Sequence, residues 1–358
     1  MNDHAHTFAR PHAHAHGPRL LADIGGTNAR FALERGPGRI EDVATLACAD
    51  HATLADAVRA YLAHHPDDAV RHAVLAIATP IDGDTVRMTN HHWQFSIAAM
   101  RDALGLDTLL VVNDFAALAM AVPGLAPHAL VQVGGTAIDP TEPAGVIGVL
   151  GAGTGLGMAG LVPTSGRWTV LGSEGGHVAF SPMDAREQAI LSYCWTHWPH
   201  VSAERLVSGP GLSLIHAALC AIAGEDAAPL TPAEITERGL AAVDARCVET
   251  LDTFCGMLGT AAANLAITLC ARGGVYIGGG VVPRLGEAFA RSPFRARFEH
   301  KGRYSDYIAR IPCYVIHAPM PALAGAATLL DQHLLDQHLA DGAGRAFLPP
   351  PERRHALA

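Results

Sequence analysis

Lysine is almost missing from this chain: Lys301 is the only one in 358 residues, and the other basic side chains are arginines. That scarcity excludes any mechanism that sets a catalytic lysine beside a glycine loop. The P-loop signature G-x-x-x-x-G-K-[ST] accordingly occurs nowhere. Paired cysteines are missing too. The cysteines at 48, 194, 220, 247, 255, 270 and 313 are scattered without a C-x-x-C pair. Neither a disulfide framework nor a zinc knuckle is expected, and buried free thiols in a reducing compartment are. Long apolar runs are also lacking. The first residues hold no leader-like apolar stretch, and the longest run, Leu258 to Ala271, is interrupted by Asn264 and two threonines. It is too short to span a bilayer, so a cytoplasmic protein is expected. Charge is sparse, at 16% of residues, and the net charge is -9. An acidic balance argues against a general nucleic-acid or anionic-membrane surface.

What is abundant is apolar residues, at 49%, and glycine, with 37. Together with the length, this points to an α/β protein of two domains rich in tight turns. Residues 1–19 are polar, with histidines at 4, 6, 12, 14 and 16. They read as a disordered tail, although alternating imidazoles also suit Zn²⁺ or Ni²⁺. The fold is expected to begin at Leu20. "LLADI" and "ARFAL" read as strands flanking a glycine loop, "TLADAVRAYLAHH" as an amphipathic helix and "HAVLAIATPI" as a buried strand. "SIAAMRDALG" is helical, "TLLVVND" is a strand, and "FAALAMAVPG" begins another helix. "GVIGVLGAGTGLGMAGLV" then repeats strand, glycine loop, strand, and "GGVYIGGGVVPRL" is strand, three glycines, helix. The first two instances look like duplicated halves. A last helix over "PALAGAATLLDQHLLDQHLA" is expected to pack on the first domain. The expected division is a small α/β domain over 20–124 plus about 318–340, a large α/β domain over 125–317, and a flexible tail from 341.

"GAGTGLG" is not a dinucleotide fingerprint. Gly151 and Gly153 fit, but Leu156 takes the third glycine's place and a strand follows where a helix must open. In the repeated loops, backbone N–H groups and the Thr27 and Thr154 hydroxyls can donate to phosphate oxygens. With no lysine present, Mg²⁺ must neutralise the charge, and Asp23 is placed to hold its water shell. The loop therefore reads as a holder of Mg²⁺-ATP. "VVND" puts Asn113 and Asp114 at the end of a strand, where Asp114 is either a helix cap or a ligand group. "GSEGGH" offers Glu174 and His177. "VSAERLVSGPG" adds Glu204, unless that residue belongs to a capping box after Ser202. Carboxylates, an amide and an imidazole together suit a polyhydroxyl ligand, and a sugar is the natural inference.

"LLADIGGTNARFAL", "MTNHHWQFS", "VVNDFAALAMA", "GAGTGLG", "SEGGHVAF", "SAERLVSGPGL", "GGVYIGGGVVPR" and "FRARFEHKGRYSDY" resemble, in this order, the bacterial glucokinase family from about residue 20 to 335. The resemblance implies the two-domain hexokinase/actin-like ATPase (ribonuclease H-like) fold, with a cleft between domains. The cysteine cluster of the zinc-bearing relatives is missing, so the non-zinc branch is implied. By motif, Ala22, Asp23, Ile24, Gly25, Gly26 and Thr27 correspond to the first phosphate loop. Gly151, Gly153, Thr154 and Gly155 belong to the second, and Gly278, Gly279 and Gly280 are the adenosine-side glycines. Asn113, Asp114, Glu174, His177 and Glu204 correspond to the sugar contacts, with Asp114 as base. The histidine-rich front, the longer C-terminal tail and Ser173 depart from the family pattern; none is a motif residue. The implied activity is ATP-dependent phosphorylation of the 6-hydroxyl of D-glucose by a homodimer using Mg²⁺, without nucleic-acid or membrane partners. A kinase for another hexose and a non-catalytic sugar sensor on the same fold are the alternatives.

Overall fold

The computed structural model describes residues 17–137, 139, 145–226 and 229–346, without side chains for 341–346. Most of the histidine-rich tail, residues 1–16, lies outside the described residues, as do 347–358. The chain divides into two units: residues up to Val112 with those from Ala326 onward, and Asn113–Gly325. The breaks fall at Val112 and Gly325, where the sequence suggested about 124 and 318.

In the first unit β1 (Arg19–Ile24), β2 (Asn28–Glu34), β3 (Ile40–Ala47), β4 (His72–Ile77) and β7 (Thr108–Asn113) form one sheet in the order β3-β2-β1-β4-β7. A small hairpin of β5 (Thr85–Arg87) and β6 (Gln94–Ser96) lies outside it. β1 is antiparallel to β2 and parallel to β4. Being interior to the sheet, β1 and β4 read as continuous apolar runs. Helices α1 (Leu54–Leu62) and α2 (Ile97–Leu104) start where the Thr53 and Ser96 hydroxyls accept from backbone N–H groups of the first turn. Such caps satisfy donors that the helix itself leaves orphaned. α2 stops at Gly105, whose φ of 66° suits glycine.

Arg19 corrects the expected start of the fold. Placed in the tail from sequence, it is the first residue of β1 and fully buried. Its guanidinium bonds Glu34, also fully buried, and reaches Asp331 Oδ1 at 2.5 Å. A buried arginine needs such partners because an unpaired charge there is costly.

The second unit carries β8 (Leu130–Gln132), β9 (Ile147–Ala152), β10 (Leu156–Thr164), β11 (Arg167–Ser173), β12 (Val275–Gly278) and β13 (Cys313–Ile316), ordered β11-β10-β9-β12-β13-β8. β11, β10 and β9 are successively antiparallel, and β9 is parallel to β12. β3, β2, β1 and β4 run in the same sequence of orientations, so the duplication seen in the glycine loops extends to whole sheets. Helices α3 (Asp114–Ala121), α4 (Ala185–Trp195), α5 (Ala203–Leu206), α6 (Gly209–Ala223), α7 (Pro232–Leu240) and α8 (Ala245–Leu269) belong here. So do the short α9 (Val282–Leu285), α10 (Glu287–Arg291), α11 (Phe294–Glu299) and α12 (Ser305–Ala309). α8, long and apolar, supplies Phe254, Leu258, Ala262 and Ala266 to the core shared with Leu150 and Ile277. The last helix, α13 (Pro321–Ala346), runs past residue 341, where a tail was expected. Among the described residues no helix is long and apolar enough to cross a membrane.

Candidate active site

Asp23 to Thr27 lie in the first unit, at the tip of the β1–β2 hairpin. Ala22 and Ile24 are fully buried in a strand laddered on both sides, so their side chains serve the core and β1 delivers Asp23 and the glycines from a fixed base. The Gly25 N–H is spent on the Asn28 carbonyl at 2.9 Å, which tightens the loop. At Gly26 a Cβ would stand 2.9 Å from both the Cβ and the carbonyl oxygen of Asn90. Glycine is needed there by close approach rather than by φ. The Asp23 carboxyl is held above its ordinary range by burial, opposed by Arg30, whose Nη1 is 3.3 Å away. Sequence reasoning did not enlist Arg30. The signal was available: Asp23 and Arg30 are directly opposite in the hairpin register, and opposite charges facing across two strands attract.

The remaining site residues belong to the second unit. The loop Gly153–Gly155 joins β9 to β10 and is closed by a bond from the Gly153 N–H to the Gly155 carbonyl at 2.8 Å. The Gly209 N–H, at the start of α6, donates to the Gly153 carbonyl at 2.7 Å. The structure also brings the second and third glycine runs into contact. A Cβ on Gly151 would stand 2.6 Å from the Gly278 carbonyl carbon, and one on Gly279 2.4 Å from the Ala152 carbonyl oxygen. Gly279 moreover has a φ of 80°. Gly153 and Gly280, by contrast, have open space where a side chain would go.

At the strand-to-helix junction the cap is Asn113, not Asp114. The Asn113 Oδ1 accepts from the Phe115 and Ala116 N–H groups at 2.9 and 3.1 Å. Asp114 is the first helical residue, its Oδ1 2.9 Å from the Phe115 N–H. α3 is packed closely on β10 and β12 at two glycines. A Cβ on Gly157 would fall inside the Phe115 ring, and one on Gly278 would stand 2.7 Å from Leu118.

Glu174 opens a short turn, Gly175–His177, that follows the edge strand β11. The imidazole of His177 sits between two carboxylates, 3.9 Å from Glu174 Oε2 and 3.9 Å from Glu204 Oε1. Both separations exceed hydrogen-bond length, so the polar atoms remain available to a ligand. Half of the Glu174 and His177 side chains is exposed, and a third of Glu204. The capping-box alternative for Glu204 is overturned. Ser202 does cap α5, but it accepts from the Arg205 N–H, and Glu204 is one residue early. Its Oε2 instead accepts from the Leu156 N–H at 2.8 Å, across 48 residues. The turn is fixed beside α5 by the Ala203 N–H, which donates to the Val178 carbonyl at 2.9 Å.

Among the described residues no three His, Cys, Asp or Glu side chains cluster as a metal cage. Asp23 alone fits a hard divalent ion, and only one that brings its own water and phosphate ligands. Arg30 pairs with the half-buried Asp23 carboxylate through one oxygen, 3.3 Å away, and the other carboxylate oxygen can meet the water shell of such an ion.

The family model described as Glucokinase matches residues 20–333. A protein named Glucokinase from Chromobacterium violaceum is 56% identical over 317 residues, covering 88% of this chain and 90% of its own length. A protein from Burkholderia thailandensis, named Bifunctional protein glk, is 53% identical over 354 residues, covering 96% of this chain. The chain spans 54% of that longer relative. Among solved structures, a glucokinase from an Antarctic psychrotroph superposes with a TM-score of 0.77 at 38% identity, over 88% of this chain and 99% of that one.

Proposed function

This chain belongs to the glucokinase family, and on that premise we propose that it transfers the γ-phosphoryl group of ATP to the 6-hydroxyl of D-glucose. One observation carries the reading. The Glu204 carboxylate accepts from the N–H of Leu156, at the exit of the second glycine loop, and its other oxygen stands 3.9 Å from the imidazole of His177. A group suited to sugar hydroxyls is thereby built into the end of a loop suited to phosphate.

In this reading Glu174, His177 and Glu204 hold the vicinal hydroxyls of the sugar. Asn113 fixes the start of α3, so that Asp114 points from a rigid helix end. The Asp114 carboxylate takes the proton of the 6-hydroxyl as that oxygen bonds to the γ-phosphorus and the bond to the ADP oxygen breaks. The transition state of phosphoryl transfer is loose, so positioning and charge neutralisation dominate. The N–H groups of Gly26 and Thr27, and those of Thr154 and Gly155, would donate to phosphate oxygens together with the Thr27 and Thr154 hydroxyls, while the Gly25 and Gly153 N–H groups are spent inside their loops. Arg30 adds a fixed positive charge next to Asp23. Mg²⁺, bound by the phosphates and through water by Asp23, would neutralise the charge that the missing lysine leaves. The family also supports a cytoplasmic homodimer, which sedimentation of the purified chain tests.

A coupled assay measuring ADP release, run with ATP over a panel of hexoses, tests the activity. Turnover with glucose is expected. Release with mannose or an amino sugar instead would reassign the substrate, and no release with any hexose would overturn the kinase reading.

A further inference from the structure

Behind the Glu174–His177 turn, between α8 and the strands β10 and β11, lies a cavity of about 450 Å³. Pockets that hold small molecules measure about 300–1,000 Å³ and are mainly apolar with a few placed polar groups. This one fits that description. Met158, Leu171, Val178, Leu265 and Leu269 line it, and Leu171 and Val178 stand 49% and 58% exposed. None of these residues is a predicted nucleotide or sugar contact.

Its polar end is unusual for this chain. Asn264 lines the cavity, and its Oδ1 accepts from the Nζ of Lys301 at 2.6 Å. That is the chain's only lysine. Among the described residues no carboxylate pairs with it. Arg297, whose charge acts on Lys301, is itself held by Asp184 and Glu187. Burial and the Arg297 charge both push the Lys301 amine below its ordinary value, as befits a cation without a counter-charge. An ammonium has three donors and Asn264 takes one; the Asn264 amide nitrogen adds two more. A mainly apolar cavity with an uncompensated cation beside its one amide is complementary to an amphipathic anion.

We propose that this cavity binds a small aliphatic carboxylate, with the tail against Leu171, Leu265 and Leu269 and the head group on Lys301 and Asn264. No covalent step is involved, and none of the residues assigned to sugar or nucleotide lines the cavity, although Ser173, Gly175, Val178 and Ala203 on its wall are chain neighbours of Glu174, His177 and Glu204.

Sodium decanoate below its micellar range is the probe, with 1-decanol as its uncharged counterpart, both titrated calorimetrically into the full chain. Saturable binding of one decanoate per chain is expected. Lys301→Met keeps the aliphatic stem and removes the charge. It should weaken decanoate about ten- to a hundredfold, the range for losing a charge-assisted hydrogen bond, and leave decanol unchanged. Thr268→Trp, at an exposed position of α8 on the cavity wall, should block both ligands without lowering Tm. Trinitrobenzenesulfonate labels the α-amino group as well as the one lysine, so labelling read by mass on the Lys301 peptide reports on this site, and decanoate should protect it. Three results would overturn the proposal: no saturable binding, equal weakening of decanoate and decanol by Lys301→Met, or a dimer that Thr268→Trp splits while decanoate fails to bind. The last would assign the cavity mouth to a second copy of the chain.

Discussion

Ionising Asp23 costs the fold. Burial raises its carboxyl above the ordinary value, so between the unfolded and folded values the native chain binds more protons than the unfolded one. Stability is then lost as pH rises through that interval, and the loss persists at neutral pH. Asp23→Asn should therefore melt no lower than the parent at neutral pH, with any gain vanishing in acid below the ordinary carboxylate range, while turnover with ATP collapses. A clearly lower Tm at neutral pH would show that the pair with Arg30 outweighs the desolvation. Asp114→Asn separates chemistry from capping in the same way. Asparagine keeps the shape and the acceptor facing the Phe115 N–H but is a very poor base. Loss of a positioned base costs about a hundred- to ten-thousandfold in rate. We expect kcat to fall in that range, with glucose binding by calorimetry largely kept. Asn113→Ala removes the cap itself and should cost roughly 0.5–2 kcal/mol of stability by denaturant unfolding. Near-normal turnover of Asp114→Asn would remove Asp114 from the base's role.

The glycine loops divide into positions that the fold needs and positions that only a ligand can need. Gly151→Ala forces a Cβ onto the backbone of Gly278 and Gly279. Overpacking of this kind typically costs about 1–3 kcal/mol, and the Tm should drop. Gly153→Ala meets no protein atom within 4 Å, so its Tm should hold while ATP affinity falls, read by nucleotide titration. Unchanged ATP affinity in that variant would separate the loop from phosphate. The hairpins around both loops were legible because β1, β2, β9 and β10 are largely apolar stretches on either side of the glycines, a purely local pattern. Local patterns also located α1, α2 and the α3 junction. What stayed hidden was set by contacts distant in sequence. Nothing local says that Glu204 will accept from Leu156, that Gly151 will lie on Gly278, or that Gly26 will meet Asn90. At the α3 junction both Asn113 and Asp114 are competent caps, and only the geometry of the turn assigns the role to Asn113. A lone arginine between a polar segment and an apolar strand gives no hint of its two acidic partners, Glu34 in the next strand and Asp331, 312 residues away.

Across the whole chain the thiols behave as the scattered cysteines implied. All seven are free, and all but Cys270 are buried. Burial pushes Cys194 and Cys247 up to about 11 and Cys255 and Cys313 up to about 12, where the nucleophilic thiolate is scarce at neutral pH. A thiol-specific chromogenic reagent should label about one cysteine quickly in the native chain and all seven in denaturant; fast labelling of several in the native chain would contradict this packing. The two sheets repeat one arrangement of strands, yet among the described residues only the second ties the end of its glycine loop to an acidic side chain from a later helix, through the bond from Leu156 to Glu204. That bond has a thermodynamic meaning. On the proposed reading, a nucleotide that orders Gly153–Gly155 would also order the Leu156 N–H and with it the Glu204 carboxylate assigned to the sugar. The two ligands would then bind cooperatively, and the factor by which either one tightens the other would be a single shared quantity.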